Sequence, residues 1–109
     1  MDIDEILKTQ AQLQIEMGLP VELRKGESAV KEAVLACATE LFEVLGEINW
    51  KPWRKTRKSV DDKKVIEELC DVLQFWANAV NAAGISHEEI SVALRKKWTI
   101  NRARIKDDY

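Results

Sequence analysis

The sequence contains few of the residues that interrupt helices or cross-link chains. Its 109 residues include four glycines, two prolines and two cysteines. Because glycine and proline are the usual residues of turns and helix ends, their scarcity predicts a small number of long helices. Two cysteines do not make a disulfide framework, so we expect Cys37 and Cys70 to be free thiols. A zinc site is also disfavoured, since there is no CxxC motif and a single histidine, His87.

Long apolar runs are missing as well. No segment approaches the roughly 20 consecutive apolar residues that cross a bilayer, so we expect no membrane contact. The first residues, Met-Asp-Ile-Asp, lack the basic start and apolar stretch of a signal peptide, and we therefore expect a cytoplasmic protein. The net charge of −2 gives no indication of a nucleic-acid partner, and none is expected.

Helical periodicity runs through the whole chain. Apolar residues recur at spacings of three and four without strict alternation, which predicts a single all-α domain over residues 1–109. We expect four helices: roughly 3–18, from a Ser28 N-cap to about 48, about 61–83, and from Ser86 to about 104. Ser86 and Glu89 have the spacing of a capping box, and Gly84 suits a helix end. The inward side of the first helix is expected to carry Ile6, Leu7, Leu13 and Met17.

The two central helices are apolar on most of their faces and rich in alanine. A helix of this kind is normally buried on most faces. A chain of 109 residues has too little core to bury two such helices fully. We therefore expect a homodimer or homotetramer in which neighbouring subunits complete the bundle.

Two pairs of carboxylates lie within these apolar helices, Glu40 with Glu43 and Glu68 with Asp71. Residues three apart share one face of a helix, so each pair presents its oxygens in one direction. If the two helices pack side by side, four negative charges come together and repel unless a cation lies between them. Mg²⁺ prefers such oxygen ligands, with Mn²⁺ as the alternative. The pattern predicts a metal site that in turn holds a phosphate-bearing substrate.

A solvated helix surface is the simpler explanation of these spacings, because glutamate-rich helices are common. Neither pair, however, has a basic partner four residues on, where the chain has Val44, Glu47, Val72 and Phe75. Unpaired carboxylates among apolar neighbours are costly unless a metal neutralises them. We therefore favour the metal site. The helix face that carries Glu40 and Glu43 continues through Glu47. The face that carries Glu68 and Asp71 continues through Phe75 and Asn78 on the next helix.

The connection between the acidic helices, residues 49–58, concentrates five cations and two of the four tryptophans. Lysine and arginine bind phosphate oxygens, and a tryptophan ring can stack on a nucleobase. Core packing would also explain the tryptophans, and a solvated charge run would explain the cations. A nucleic-acid surface is disfavoured, because the flanking acids would repel a phosphate backbone.

The expected fourth helix carries Lys97, Asn101 and Arg104 on one face, and the chain ends at Tyr109. Cations near the C-terminus of a helix are explained equally well by the helix dipole alone. The spacing by itself therefore leaves a phosphate contact and a structural role equally open.

Together these motifs resemble the all-α NTP pyrophosphatase superfamily, which includes MazG-type enzymes and the dimeric dUTPases. ExxE on one helix and ExxD on the next is similar to the acid pattern of that superfamily. Trp50-Lys51-Pro52-Trp53 resembles the aromatic-Lys-x-Trp loop of the dimeric, phage-type dUTPases. The stretch from Lys97 to Arg104, followed by Tyr109, resembles their KxxxNxxR and terminal tyrosine motif, and residues 6–10 resemble the segment whose glutamine reads the base.

The resemblance implies a four-to-five-helix bundle of the NTP pyrophosphatase type that uses Mg²⁺ to hydrolyse a dNTP to dNMP and pyrophosphate. dUTP or another pyrimidine dNTP is the expected substrate. General-base catalysis is expected from Glu43 or Glu47, and metal ligation from Glu40, Glu43, Glu68 and Asp71. Substrate contacts are expected from Gln10, Trp50, Lys51, Trp53, Arg54, Lys55, Phe75, Asn78, Lys97, Asn101, Arg104 and Tyr109.

Two alternatives accompany this interpretation. Within the enzyme class, a MazG-like pyrophosphatase would accept a broader range of dNTPs. The chain is shorter than most dimeric dUTPases, and it has Gln14 where their first helix usually has an acid. Outside the enzyme class, a helical module would bind a nucleotide or a partner protein without turnover.

Overall fold

Four α-helices and no strands make up the computed structural model, which describes residues 1–107. They are α1 (Ile3–Glu16), α2 (Glu27–Gly46), α3 (Asp62–Ala82) and α4 (His87–Lys106), with a single 3₁₀ turn at Val21–Leu23. The expected all-α fold is confirmed. Tyr109 lies outside the described residues. Within them, no helix combines the length and the apolar character needed to cross a membrane.

Side-chain caps begin three of the helices. The side chain of Asp2 caps α1, that of Asp61 caps α3, and Ser86 and Glu89 form the expected capping box of α4. The expected Ser28 cap of α2 is wrong, because α2 begins at Glu27 after Gly26. Gly26 has a φ of 97°, which favours glycine, and its N–H donates to the carbonyl of Ala82 at 3.0 Å. This bond to α3, rather than a hydroxyl cap, sets where α2 starts.

The helices α2 and α3 form the main antiparallel pair. Gly26 lies beside Ala82, and the Cys37 thiol donates to the carbonyl of Val72 at 3.6 Å, so residue numbers on the two helices run in opposite directions. Ala29 and Ala33 of α2 are buried and line the same groove as Asn78 and Ala82 of α3. This antiparallel register brings Glu40 of α2 near Glu68 and Asp71 of α3 in the groove between the helices.

The helix α1 packs on the C-terminal half of α3, where Leu7, Ala77 and Val80 form the buried core. The expected inward position of Leu7 is confirmed. Leu13 and Met17 were expected to be inward but are exposed, and Gln10 and Gln14 are buried instead. The buried stripe of α1 thus continues from Leu7 through two glutamines at helical spacing.

The helix α4 leaves the bundle. Its only helix contact within residues 1–107 is with α1, where His87 lies 3.6 Å from the carboxylate of Asp4. From Arg95 onward, every described residue of the helix is exposed. The radius of gyration is 17.2 Å, compared with about 13 Å for a compact domain of this length. The single chain is therefore more extended than a closed bundle.

Large apolar side chains remain at the surface of the central pair. In the described part of the chain, no large side chain is fully buried. Val34, Leu35, Leu41 and Phe42 are exposed on α2, and Ile66, Leu69 and Leu73 on α3. The faces that suggested an oligomer are thus uncovered in one chain, and the oligomer itself stays a prediction.

Candidate functional site

Three carboxylates converge in the groove between α2 and α3. Oxygen atoms of Glu40, Glu68 and Asp71 lie within 4.8 Å of one another, and all three residues are half-buried. None of them forms an ion pair with a lysine or arginine in residues 1–107. Such a set of oxygens without a basic partner fits a hard divalent cation.

The chemistry of this cluster is visible at Glu68. Partial burial raises the pKa of Glu68 above its ordinary value of 4.5, and so do a hydrogen bond with Glu40 and the charges of Glu40, Asp71 and Glu43. Like charges at close range disfavour a second ionised carboxylate. A bound cation would reverse this effect by favouring the ionised form.

The two remaining predicted acids lie differently. Glu43 is exposed and outside the three-acid cluster, yet it is near enough for its charge to act on Glu68. Glu47 is the C-cap of α2, half-buried, and has no described interaction with the cluster. The structure therefore brings Glu43, but not Glu47, next to the convergent oxygens.

A pocket of about 190 Å³ continues the groove from the acids toward the N-terminus of α2. Ala36, four residues before Glu40, lines it, as do Phe75 and Asn78, which are four and seven residues past Asp71. At a rise of about 1.5 Å per residue, these α3 side chains lie roughly 6 and 10 Å along the helix from the acid. The pocket is thus adjacent to the acid cluster.

Asn78 is the most informative residue of this pocket. Its side chain is more than nine-tenths buried, and its Oδ1 has no hydrogen-bond partner. A buried acceptor without a partner costs about 1–3 kcal/mol. A ligand with a donor group in the pocket would satisfy it.

The helix α1 contributes a residue that was not among the predicted substrate contacts. Gln14 lines the pocket, together with Glu32 of α2, whereas the expected Gln10 is buried elsewhere on α1. The signal was present, because Leu7, Gln10 and Gln14 follow one another at spacings of three and four on the inward stripe. Only the packing of α1 shows which glutamine reaches the pocket.

The connection after α2 forms a second, cationic cavity of about 350 Å³. Lys51 and Arg54, two of the predicted substrate contacts, line it together with Trp50, Thr56, Arg57 and Lys58. The Lys51 ammonium lies 5.3 Å from the ring centroid of Trp50, a cation–π distance. Lys55 and Trp53 are not among its lining residues, although Trp53 meets Trp50 edge to face at 5.9 Å.

Asn49 organises this cavity. Its side-chain amide donates to the backbone carbonyl of Lys58 and accepts from the N–H of Lys58, both at 2.9 Å. The Arg57 guanidinium donates to the backbone carbonyl of Asn49 at 3.0 Å. The Lys58 ammonium also donates to the carbonyl of Gly46. These bonds fold residues 49–58 back on the end of α2, so that four of the five cations in this connection line one cavity.

The aromatic residues predicted to contact the substrate do not line one pocket. Phe75 lines the groove pocket, whereas Trp50 lines the cationic cavity. Along α2, Ala36 belongs to the first space and Leu45 to the second, with Glu40 between them. Along α2, the acids therefore lie between the groove pocket and the cationic cavity.

The helix α4 does not reach this site within its own chain. Lys97, Asn101 and Arg104 are exposed on α4, which contacts neither α2 nor α3 in the part of the chain that the structure describes. Their expected substrate contacts are not formed by one chain. Tyr109 cannot be placed, because it lies outside the described residues.

A model of the dUTPase family matches residues 2–90 of the chain. The matched stretch includes all four predicted metal ligands, both loop tryptophans and the two residues Phe75 and Asn78. No curated protein and no solved structure shows a significant match. Because the family match spans most of the chain and contains the whole acid site, the chain belongs to the dUTPase family.

Proposed function

We propose that this protein is a Mg²⁺-dependent pyrophosphohydrolase that converts dUTP, or another pyrimidine dNTP, to dNMP and pyrophosphate. The observation that carries the proposal is the order of three features along α2: a pocket with an unpaired acceptor, the acid cluster, and a cationic cavity. A dNTP has the same order of base, α-phosphate and terminal phosphates. Ala36 and Gly46, which line the two ends, are ten residues apart, or about 15 Å of helix.

The base end suits a pyrimidine. The N3–H group of uracil is a donor, which the unpaired Oδ1 of Asn78 can accept. Phe75 offers a ring against the base, and Gln14 adds a second amide with both donors and acceptors. N3 of cytosine is an acceptor instead, and a rotated Asn78 amide would donate its N–H to it. The hydrogen-bonding groups of the pocket therefore support a pyrimidine base but do not favour uracil over cytosine.

The acid cluster suits the reacting phosphate. Glu40, Glu68 and Asp71 would hold Mg²⁺, which when bound neutralises phosphate charge and polarises the bond that breaks. The Glu43 carboxylate, exposed beside the cluster, would accept a proton from the attacking water. Lys51 and Arg54 would hold the departing pyrophosphate in the cationic cavity.

The proposal is tested by incubating the purified protein with Mg²⁺ and each of dUTP, dCTP, dTTP and dATP. We expect pyrophosphate rather than orthophosphate, with the pyrimidine substrates turned over fastest. Glu43→Gln should lower kcat by about 10²–10⁴ while circular dichroism stays unchanged. Glu67→Gln is the matched control, because Glu67 is an exposed acid beside Glu68 that is not part of the cluster.

Three outcomes would contradict the proposal in different ways. Equal turnover of all four dNTPs would favour a broader MazG-like enzyme. Stabilisation by Mg²⁺ and nucleotide without hydrolysis would favour a binding module. A protein that neither binds nor hydrolyses any nucleotide would exclude both the pyrophosphohydrolase and the nucleotide-binding module.

A further inference from the structure

The connection between α2 and α3 has few backbone bonds to fix its shape. Within residues 49–58, the structure describes one backbone-to-backbone hydrogen bond, from the N–H of Arg54 to the carbonyl of Lys51 at 3.2 Å. Side chains form the other hydrogen bonds of this segment, and the Asn49 amide makes two of them, both with the backbone of Lys58. The amide donates in one bond and accepts in the other, so it pairs with Lys58 as a neighbouring strand would. A single side chain thus joins the two ends of the connection.

The four cations that line the cavity differ in what they contact. The Arg57 guanidinium and the Lys58 ammonium donate to backbone carbonyls at or just after the end of α2. The side chains of Lys51 and Arg54 form no hydrogen bond or ion pair within residues 1–107. Both residues lie between Asn49 and Lys58 in the sequence, so their position depends on how these two ends are joined.

We propose that Asn49 is a positioning residue for the phosphate end of the site: its amide closes the loop and so keeps Lys51 and Arg54 where they contact the departing pyrophosphate. The inference rests on the proposed function, which assigns pyrophosphate to this cavity. A ligand binds more tightly to groups that are already ordered, because their ordering no longer opposes association. Asparagine suits this role, since its amide both donates and accepts, whereas an ionised aspartate only accepts and alanine does neither.

Closure of the loop is tested without any activity measurement. Trypsin cleaves after lysine and arginine where the backbone can open, and the bond after Arg54 lies inside the closed loop. The rate of this cleavage, followed by mass spectrometry, reports the population of the open loop when opening is fast. Asn49→Ala removes two hydrogen bonds and should speed the cleavage about tenfold. An equal rate in Asn49→Ala and the wild type would overturn the proposal, because the amide would then not close the loop.

Ser59→Ala is the matched control for this cleavage. Ser59 directly follows the loop, does not line the cavity and makes no hydrogen bond within residues 1–107. This variant should be cleaved after Arg54 as the wild type is. A faster cleavage of both variants would show that any loss of a polar side chain here opens the loop, which would overturn the particular role of Asn49.

Binding of inorganic pyrophosphate in the presence of Mg²⁺, measured by titration calorimetry, connects the loop to the anion. Asn49→Ala should bind it about 3- to 10-fold more weakly, because the apparent affinity falls with the closed fraction. Lys51→Ala should lose about tenfold, because it removes a charged donor, but it should keep the wild-type cleavage rate after Arg54. Saturating pyrophosphate should slow the cleavage of Asn49→Ala toward the wild-type rate.

The nucleoside monophosphate dUMP separates positioning from a general effect on the fold. It has no phosphate beyond the first, so it should bind Asn49→Ala as tightly as the wild type. An open loop with unchanged pyrophosphate affinity, or an equal loss of dUMP binding, would overturn the proposal, since Asn49 would then serve only the fold. A wild-type protein that does not bind pyrophosphate would overturn it as well.

Turnover of dUTP gives a readout that depends on the proposed function. Asn49→Ala should raise KM by the factor found with pyrophosphate and leave kcat within about twofold, because the lost contacts hold ground state and transition state alike. A lower kcat with unchanged KM would overturn the assignment to the phosphate end. A wild-type protein without hydrolysis would defeat the proposed function, and the cleavage and titration results would still decide whether Asn49 positions Lys51 and Arg54.

Discussion

The repulsion among the clustered acids can be measured at Glu68, because it makes the stability of the fold depend on pH. The raised pKa of Glu68 means that the folded chain holds a proton which the unfolded chain releases above pH 4.5. Since the folded state binds more protons in this window, stability must fall as the pH rises from 4.5 through the raised pKa. Without Mg²⁺, we expect this contribution to lower the Tm as the pH rises above 4.5 through the raised pKa of Glu68, and Mg²⁺ to reverse much of that decline.

Two variants identify Glu68 as the source of this effect. Glu68→Gln cannot ionise, so its melting temperatures in EDTA should lack that part of the decline. Glu67→Gln, next in sequence but outside the cluster, should decline as the wild type does. Identical pH profiles for Glu68→Gln and the wild type would show that the acids do not repel one another in the folded chain.

Substitution of Asn78 tests whether this buried amide binds a ligand or stabilises the fold. Its buried Oδ1 has no partner, so Asn78→Leu should leave the Tm of the free protein unchanged or higher. The same variant should lose the Tm increase caused by Mg²⁺ and the non-hydrolysable α,β-imido analogue of dUTP. Differential scanning fluorimetry measures both effects on one sample.

Asn81 is the matched control on the same helix. Its amide donates to the carbonyl of Leu7 at 2.9 Å and so ties α3 to α1. Asn81→Leu should cost about 1 kcal/mol, or roughly 4–8 °C in Tm, and keep the increase caused by the analogue. If Asn78→Leu instead destabilises the protein and still responds to the analogue, its role is structural.

Single residues of the site could be predicted where their chemistry is visible in the spacing. The convergence of Glu40, Glu68 and Asp71 could be predicted, because unpaired acids at helical spacing are unusual in an apolar helix. Gln14 and Asn49 could not be found in this way. Which glutamine faces the pocket depends on how α1 crosses α3, and the role of Asn49 depends on where Lys58 returns in the loop.

At the scale of elements, periodicity predicted all four helices and missed how one of them begins. The 3–4 spacing of apolar residues needs no partner to be recognised, so α1, α3 and α4 lie within a few residues of their expected bounds. The start of α2 depends instead on a hydrogen bond from Gly26 to Ala82. A contact between residues so far apart in sequence leaves no local pattern.

Gly26 therefore offers a test of how α2 is joined to α3. Its φ of 97° and ψ of 175° lie in a region that is nearly exclusive to glycine. Gly26→Ala should cost about 1–3 kcal/mol of unfolding free energy in urea titrations, because the backbone must strain or the helix start must shift. Gly46→Ala is the control, since it lies in α2 with equally open space around the new methyl group. That control should gain up to about 1 kcal/mol, and an equal response of both variants would contradict the argument.

At the scale of the whole molecule, the sequence indicated that one chain is too small for its apolar surface. It could not indicate that α4 would leave the bundle, because a helical period shows that a face is apolar but not what it packs against. The structure shows both consequences together: α4 exposed from Arg95 onward, and uncovered apolar faces on α2 and α3. The predicted oligomer would cover these apolar faces.

The apolar face of α2 gives this argument its most direct test. Leu35 and Phe42 are 60% and 71% exposed in one chain, so replacing them with serine in an isolated chain should change stability by no more than about 0.5 kcal/mol. If the face is buried between copies, each change removes about 1.5–3 kcal/mol of burial. We expect the double variant Leu35→Ser/Phe42→Ser to shift toward the single-chain mass in light scattering.

The wild-type Tm should rise with protein concentration, as linkage to association requires, and the variant should lose that dependence. Val21→Ser, at a position 58% exposed outside α2 and α3, is the control and should behave as the wild type. A wild-type Tm that is independent of concentration at single-chain mass would show that these apolar faces remain in water.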